Sequence, residues 1–489
     1  MQANLTVVVI VVAYMLFMLW IGWYSSTKVK SNTDFMVAGR RLGPLMMAGT
    51  LAATEIGGGS SLGVVQNGMS GFGLSASWYI ATMGLAFIIL SFIAPKFRIS
   101  EVKTVPEYFR RRYGKTCGFI TSIIMLLPLI GLTAGQIIAS AVICSTMLGI
   151  SYKTAVIIIS IVITIYSVMG GLWSVTMTDN VQVFLIVAGM IIAVPFALNF
   201  AGGWDAVVAN IPEGTLQLLD GPGKSYGIVD IISLTVMYVA TFSVGQEAVS
   251  RFYAAKDATA AKVGAWWAAL INFIYAFIPT ILGIIMLALI NMGKFSASDF
   301  ASVGARYALP VLAMEVMPSM ICGFLFAGII SATMSSADSD LLGAGSIFAN
   351  DIYKQFIRKK AGSKEVMRVT QITMCLVGVA SMFIALYNTQ SIVSILMFSF
   401  TLRGAGALFP YILGMYWKGS SKAGTIASLI SGTVLVVYLE QFSGGNLFGM
   451  HISQPIIPGL VVALIFFVIF SIIMPPKTRT TDLAVEEDI

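Results

Sequence analysis

The chain has 489 residues, 57% hydrophobic and 10% charged, with a mean hydropathy of +0.89 and a formal net charge of +7. Soluble domains carry about 25% charged residues, and single cores stop growing near about 250–300 residues, so no soluble fold buries this much apolar side chain. The excess calls for lipid as solvent, and no stretch is polar enough to form a separate soluble domain.

About 20 apolar residues cross the hydrocarbon of a bilayer. The stretches that meet this requirement predict thirteen spans: 4–26, 44–68, 74–95, 117–148, 154–172, 177–200, 229–250, 263–292, 317–339, 366–387, 392–417, 423–442 and 455–474. The first run lacks a charged leading region and a cleavage site, so it reads as a retained span. Lys and Arg set the orientation. With the N-terminus outside, the inside loops are 27–43, 96–116, 173–176, 251–262, 340–368, 418–422 and the tail, and they hold 24 of the 29 Lys and Arg. Lys153, Lys224, Lys294 and Arg306 fall outside, and Arg403 falls within a span. This asymmetry predicts a multi-pass protein of a plasma membrane, of the bacterial inner-membrane kind, with a cytoplasmic C-terminus. It also makes Arg110-Arg111-Arg112 and Arg358-Lys359-Lys360 membrane anchors rather than nucleic-acid contacts.

The expected organisation is one membrane domain. A leading helix, 4–26, precedes two five-span groups, 44–200 and 229–417; two trailing helices, 423–474, and a short tail, 475–489, follow. Five is odd, so the second group runs opposite to the first, a known transporter architecture.

The polar residues narrow the chemistry. Cys117, Cys144, Cys322 and Cys375 show no paired spacing, so neither a disulfide nor a metal site is expected. His451 is the single histidine, which excludes a histidine-ligated metal centre or a histidine proton relay. No nucleophile–base pair or HExxH spacing suggests an enzyme, and no organic cofactor is expected.

Gly57-Gly58-Gly59 interrupt the second span. Each glycine costs about 1 kcal/mol relative to alanine in a helix, so three together favour local unwinding. Unwound backbone in a membrane must be buried in protein or line a watery cavity, and it frees carbonyl oxygens for an alkali cation. Close packing is the alternative, since Gly59 and Gly63 have GxxxG spacing. Packing needs no acid, however, and Glu55 beside the glycines costs about 2.5–3.5 kcal/mol or more at mid-membrane. No Lys-Ser/Thr follows the glycines, so a phosphate loop is not indicated. The seventh span has a comparable interruption, Thr241 to Glu247 around Gly245.

In the run Ser331 to Asp340, Ser335, Asp338 and Ser339 share a helical face, and Ser336 neighbours Ser339. Such a stripe suits a hard cation or a polar helix end meeting water. Asp179, after Gly170-Gly171, reads as an acid favoured by a helix start. Glu247 and Glu440 are open in role, and Arg403 either pairs with an acid or snorkels.

Together these stretches resemble the sodium/solute symporter family, which includes sodium-coupled proline, pantothenate, sugar and choline carriers. The likeness also rests on Phe35 to Arg41, on Gly170-Gly171 to Thr178-Asp179, and on Ser335-Ser336 followed by Asp351 to Lys354. Gly57 to Gly59 and Met334 to Ser339 look most like the choline branch. The resemblance implies an all-α, LeuT-type 5+5 fold. It implies a sodium site formed by the carbonyls of Ala53, Ile56 and Ala332 and the hydroxyls of Ser335 and Ser336. It further implies a second sodium site or exit route at Asp179, Asp338 and Ser339. Relatives commonly carry a shorter or neutral residue, or tryptophan, at the Glu55 position.

The expected function is sodium-coupled symport of a small polar organic solute, with sodium joining the second and ninth spans. Solute contacts are expected from Glu55, Ser60, Ser61, Phe242 and Gln246, with Trp78 or Tyr79 nearby. Each of these also has a plain packing role available. The partners expected are the solute and the lipid bilayer, with no obligate protein partner. The rival functions are a proton-coupled carrier or exchanger of the same fold, and less readily a transporter-like sensor or channel.

Overall fold

A bilayer core offers the backbone no water, so a spanning segment satisfies its own N–H and C=O groups as a helix. A computed structural model describes residues 4–26, 32–219, 225–296, 304–388, 390–447, 450–452 and 454–484. Its principal helices are α1 (Leu5–Ser26), α2 (Pro44–Glu55), α3 (Trp78–Ile99), α4 (Val105–Tyr113), α5 (Lys115–Leu148), α6 (Tyr152–Ala201) and α7 (Ile228–Val244). They continue as α8 (Gln246–Ala254), α9 (Ala258–Asn291), α10 (Ser319–Ile347), α11 (Ser363–Tyr387), α12 (Ile392–Gly414), α13 (Lys422–Val437) and α14 (Ile456–Ile473). Residues 27–31 and Lys224, used in the charge asymmetry, lie outside the described residues.

By length and apolarity, ten helices among the described residues qualify to cross a membrane, or eleven with α7 and α8, bent by 60°, taken as one span. Thirteen expected crossings exceed this number for two reasons. The apolar part of α1, Leu5–Ile21, is short, and 59–99 passes as one apolar run. The chain nevertheless turns within that run, with positive φ at Gly71 and Gly73.

Helix α10 lies at the centre. It packs on α5 and α6, and α1 lies across α6 and α10. Of the most apolar stretch of Ser319–Ile357, 83% is buried, against 33% for α14, which pairs with α13. Helix α9 packs on α3 and α2. Helix α6 is interrupted at Gly171, whose φ of 59° suits glycine and where a Cβ would lie 2.5 Å from the Phe35 ring.

Two expectations are corrected here. The ninth span was expected to end at 339, but α10 continues to Ile347, so Asp338, Ser339 and Asp340 are inside the helix and buried. Arg251 was counted with an inside loop. It belongs to α8 and is fully buried. In both cases charge was read as contact with water, whereas partners on other helices surround it.

Helix α4 follows Thr104, whose hydroxyl accepts from Glu107 N–H at 3.2 Å, a normal N-cap. Arg110 of α4 pairs with buried Asp351 at 2.8 Å, and the Thr104 hydroxyl donates to the same carboxylate at 2.6 Å.

Candidate functional site

Helix α2 stops at Glu55 because Ile56 leaves helical geometry, with φ −81° and ψ 77°. The Gly58 N–H donates to the side-chain oxygen of Gln136 on α5 at 2.8 Å, and helical bonding resumes with Ser61 N–H to Gly57 O at 3.1 Å. The Ser60 hydroxyl donates to the Glu55 carbonyl at 2.7 Å, satisfying one group released by the break. A Cβ on Gly57 would lie 2.8 Å from Ser336 Oγ, and one on Gly58 would lie 2.3 Å from Ala139 Cβ. On Gly59 and Gly63 it would lie 2.6 Å from Leu396 and 2.6 Å from Val393 respectively. Unwinding and close packing therefore both occur. Gly57 and Gly58 admit α5 and α10 to the break, and Gly59 and Gly63 admit α12.

Helix α10 meets this break at Ser336. Its hydroxyl lies 2.9 Å from Thr54 O, 3.4 Å from Ala53 O and 3.2 Å from Ala332 O. One hydroxyl has one proton, so it bonds one of these oxygens at a time and can turn a lone pair toward a cation. Carbonyl and hydroxyl oxygens are hard ligands, suited to a hard cation rather than a transition metal. Among the described residues no group of three His, Cys, Asp or Glu is placed to hold a metal ion.

Beside it, Asp179 of α6 accepts from the Ser335 hydroxyl on one oxygen and from the Thr50 hydroxyl on the other. Arg251 lies 3.6 Å from Asp179 Oδ2, 3.3 Å from Thr50 Oγ1, and donates to Ser339. Ser335 thus bonds Asp179 directly, and Arg251 links Asp179 to Ser339. Asp338 points elsewhere: its Oδ1 accepts from Ser167 of α6, and its Oδ2 is buried without a hydrogen-bond partner.

The second helix break follows Thr241, where Gly245 adopts φ −69° and ψ 120°. Arg403 of α12 closes it. Its Nη1 donates to Glu247 Oε2 at 2.6 Å, Nη2 donates to Oε1, and Nε donates to the Thr241 hydroxyl. A Cβ on Gly245 would lie 2.6 Å from the Arg403 guanidinium.

The expected solute contacts are dispersed. Glu55 is 7% exposed and its Oε1 has no hydrogen-bond partner. The Tyr79 ring meets Tyr238 edge-on at 6.0 Å between centroids, and Phe242 lies 5.3 Å from Tyr238. Ser61 instead bonds Tyr275 of α9 at 2.8 Å. Trp78 Nε1 donates to Leu218 O at 2.8 Å, at an exposed end of α3. The structure does not bring Gln246 to the α2 break: its amide accepts from Val105 N–H at 3.0 Å and donates to Lys103 O at 2.8 Å. Sequence reasoning gave no role to Gln136, Arg251, Tyr238 or Asp340. Glutamine within an apolar run was the one visible signal for Gln136.

A broken helix meeting a hydroxyl-bearing one inside a multi-helix membrane bundle defines a secondary carrier, not an enzyme. The match to known proteins is specific: residues 35–432 fit the family described as "Sodium:solute symporter family", and the chain belongs to that family. The osmoregulated proline transporter OpuE of Bacillus subtilis is 25% identical over 476 residues, covering 94% of this chain and 93% of its own. The human high affinity choline transporter 1 is 29% identical over 445 residues, covering 88% of this chain and 75% of its own. A substrate-bound, outward-open Na+-coupled sialic acid symporter superposes with a TM-score of 0.81 at 18% identity, covering 98% of this chain and 100% of its own. That likeness establishes the fold. Sodium symport and a multi-pass plasma-membrane location follow from the family and the spans.

Proposed function

We propose that this chain couples inward sodium flow to uptake of a small polar organic solute by alternating access. Its relatives include carriers named for proline and for choline. The observation that carries the reading is Ser336 of α10 reaching the carbonyls at the broken end of α2. Sodium is a transported ion here. It would be held by the carbonyls of Ala53, Ile56 and Ala332 with the hydroxyls of Ser335 and Ser336, joining two elements that otherwise share only weak bonds. Asp179 would orient Ser335 by accepting its hydrogen bond, leaving the hydroxyl lone pairs for the ion. Asp179, Asp338 and Ser339 would take a second ion or pass the first toward the cytoplasm.

The proposed architecture is a leading helix, two five-span groups of opposite sense over 44–200 and 229–417, and two trailing helices, thirteen spans in all. The N-terminus is placed outside and the C-terminus in the cytoplasm. Release to the inside then requires opening the Arg110–Asp351 closure. One sodium ion gains about 2.3 kcal/mol per 100 mV, and a tenfold gradient adds about 1.4 kcal/mol. The sum, roughly 3.7 kcal/mol, supports a few-hundred-fold accumulation of a neutral solute.

The test is uptake into proteoliposomes of labelled proline, choline, pantothenate and glucose under an inward sodium gradient. Accumulation of one of them that vanishes when potassium replaces sodium is expected. Uptake in sodium-free medium driven by a pH step would instead make the chain a proton-coupled carrier, with Glu55, Asp179 and Asp338 as the acids to examine.

A further inference from the structure

We propose that Gln246 is a positioning residue of the transport cycle, the link through which movement at the second helix break carries α4 toward or away from Asp351. Its role in transport rests on the symport reading, and the link itself rests on geometry. Gln246 is the first residue of α8, directly after Gly245, so it lies just past the 60° bend from α7. It is buried at a break whose charges Arg403 and Glu247 already satisfy between them. Both amide bonds leave the broken helix for the start of α4. The amide oxygen accepts from Val105 N–H at 3.0 Å, and the amide nitrogen donates to Lys103 O at 2.8 Å.

These two partners flank Thr104, the N-cap of α4. The first N–H groups of a helix have no acceptor within it, and Gln246 supplies one for Val105. An amide both accepts and donates, so bonding on the two sides of one residue fixes direction as well as distance. Between them, the Thr104 hydroxyl donates to Asp351 at 2.6 Å, and Arg110 of the same helix pairs with that carboxylate at 2.8 Å. Asp351 lies in Phe348–Ile357, the continuation of α10. Three consecutive residues are therefore shared out in alternation: 103 and 105 to α8, and 104 to the continuation of α10. The start of α4 cannot follow one of these elements without straining its bonds to the other.

Helix α8 is also tied to the other broken helix. Leu42, just before α2, donates its N–H to Ala254 O at 3.1 Å, and Lys256 N–H donates to Leu42 O at 2.9 Å. The two broken helices are thus joined away from their breaks, and Gln246 is a contact that passes movement of either one to α4. Leucine at 246 keeps the bulk of the side chain and removes both bonds, which would leave α4 held by Asp351 without news of the break.

The experiment is hydrogen exchange over 105–113 in the purified full chain, in potassium without sodium or solute, so its outcome does not depend on sodium coupling. Gly245→Ala disturbs the second break. Its φ of −69° and ψ of 120° suit alanine, and the new Cβ would lie 2.6 Å from the Arg403 guanidinium, so the change acts through that contact. Gly245→Ala should raise exchange over 105–113 at least threefold, and should add nothing in a Gln246→Leu background. Asp351→Asn frees α4 from its other side and controls for saturation: there Gly245→Ala must keep its threefold effect. Gly245→Ala without effect on α4, or with its full effect in Gln246→Leu, overturns the inference. Loss of the effect in Asp351→Asn as well also overturns it, because α4 is then merely loose. In proteoliposomes, Gln246→Leu should slow sodium-driven uptake at least tenfold for whichever of labelled proline, choline, pantothenate or glucose the wild type accumulates. Its midpoint for 22Na+ binding should stay within twofold of wild type. Unchanged uptake, or loss of 22Na+ binding, overturns the role in transport. Accumulation of none of the four by the wild type counts against the symport reading, while the exchange result alone decides the link. Should Gly245→Ala fail to fold, Thr241→Val, which deletes the bond to Arg403 Nε, takes its place with the same expectations.

Discussion

The molecule contains two broken helices with opposite treatment of charge. At the second, between α7 and α8, Arg403 grips Glu247 and also reaches Thr241, so the break is electrically closed. At the first, after α2, the released groups are met by Gln136, Ser60 and Ser336, all neutral, while Glu55 keeps an unpartnered oxygen. A break whose charges cancel internally is a joint. A break lined by carbonyls and a movable hydroxyl is where the proposed sodium site would form.

The largest effect that sharpens this contrast should come from Arg403→Met. It leaves Glu247 buried without its cation, a loss of about 3–5 kcal/mol, read as a lowered melting temperature in detergent. Adding Glu247→Leu should recover most of the loss, and failure to recover would mean that the second break has more than a structural role. Next comes Asp351→Asn, which removes the acceptor charge facing Arg110 and should weaken the contact of α4 with Asp351 by roughly 1.5–3 kcal/mol. Hydrogen exchange over 104–113 should rise, and unchanged protection would show that the aromatic contacts there suffice. Gly58→Ala forces a Cβ against Ala139 and should cost about 1–3 kcal/mol, since both elements are fixed by packing. The smallest expected effect is Tyr275→Phe, which deletes the bond to Ser61 for about 1 kcal/mol and should leave sodium binding alone.

Much of the first break was legible because its causes are local. Three glycines beside an acid disturb any helix, whatever surrounds them. The hydroxyl stripe on α10 was likewise visible as spacing. Sequence could not show which face each hydroxyl meets: Ser335 turns to Asp179, Ser336 to α2, and Asp338 to Ser167. Arg251 and Asp340 were assigned to water because a charge at the end of an apolar run ordinarily lies there. Only the approach of α2, α6 and α10 makes the burial of Arg251 tolerable, and such pairing leaves no periodic trace in the chain. Gln246 looked like part of a binding site for its place at the second break, yet its amide serves the turn into α4. The span count suffered from the same locality, since a short leading helix and a run that turns at glycines look unlike isolated twenty-residue spans.

The most direct measurement is equilibrium binding of 22Na+ to purified wild-type protein and to Ser336→Ala. The meeting of α2 and α10 through a bound ion predicts saturable sodium binding that potassium does not displace, and a midpoint raised at least tenfold in the variant, about 1.4 kcal/mol. Identical sodium isotherms for the two proteins would contradict it.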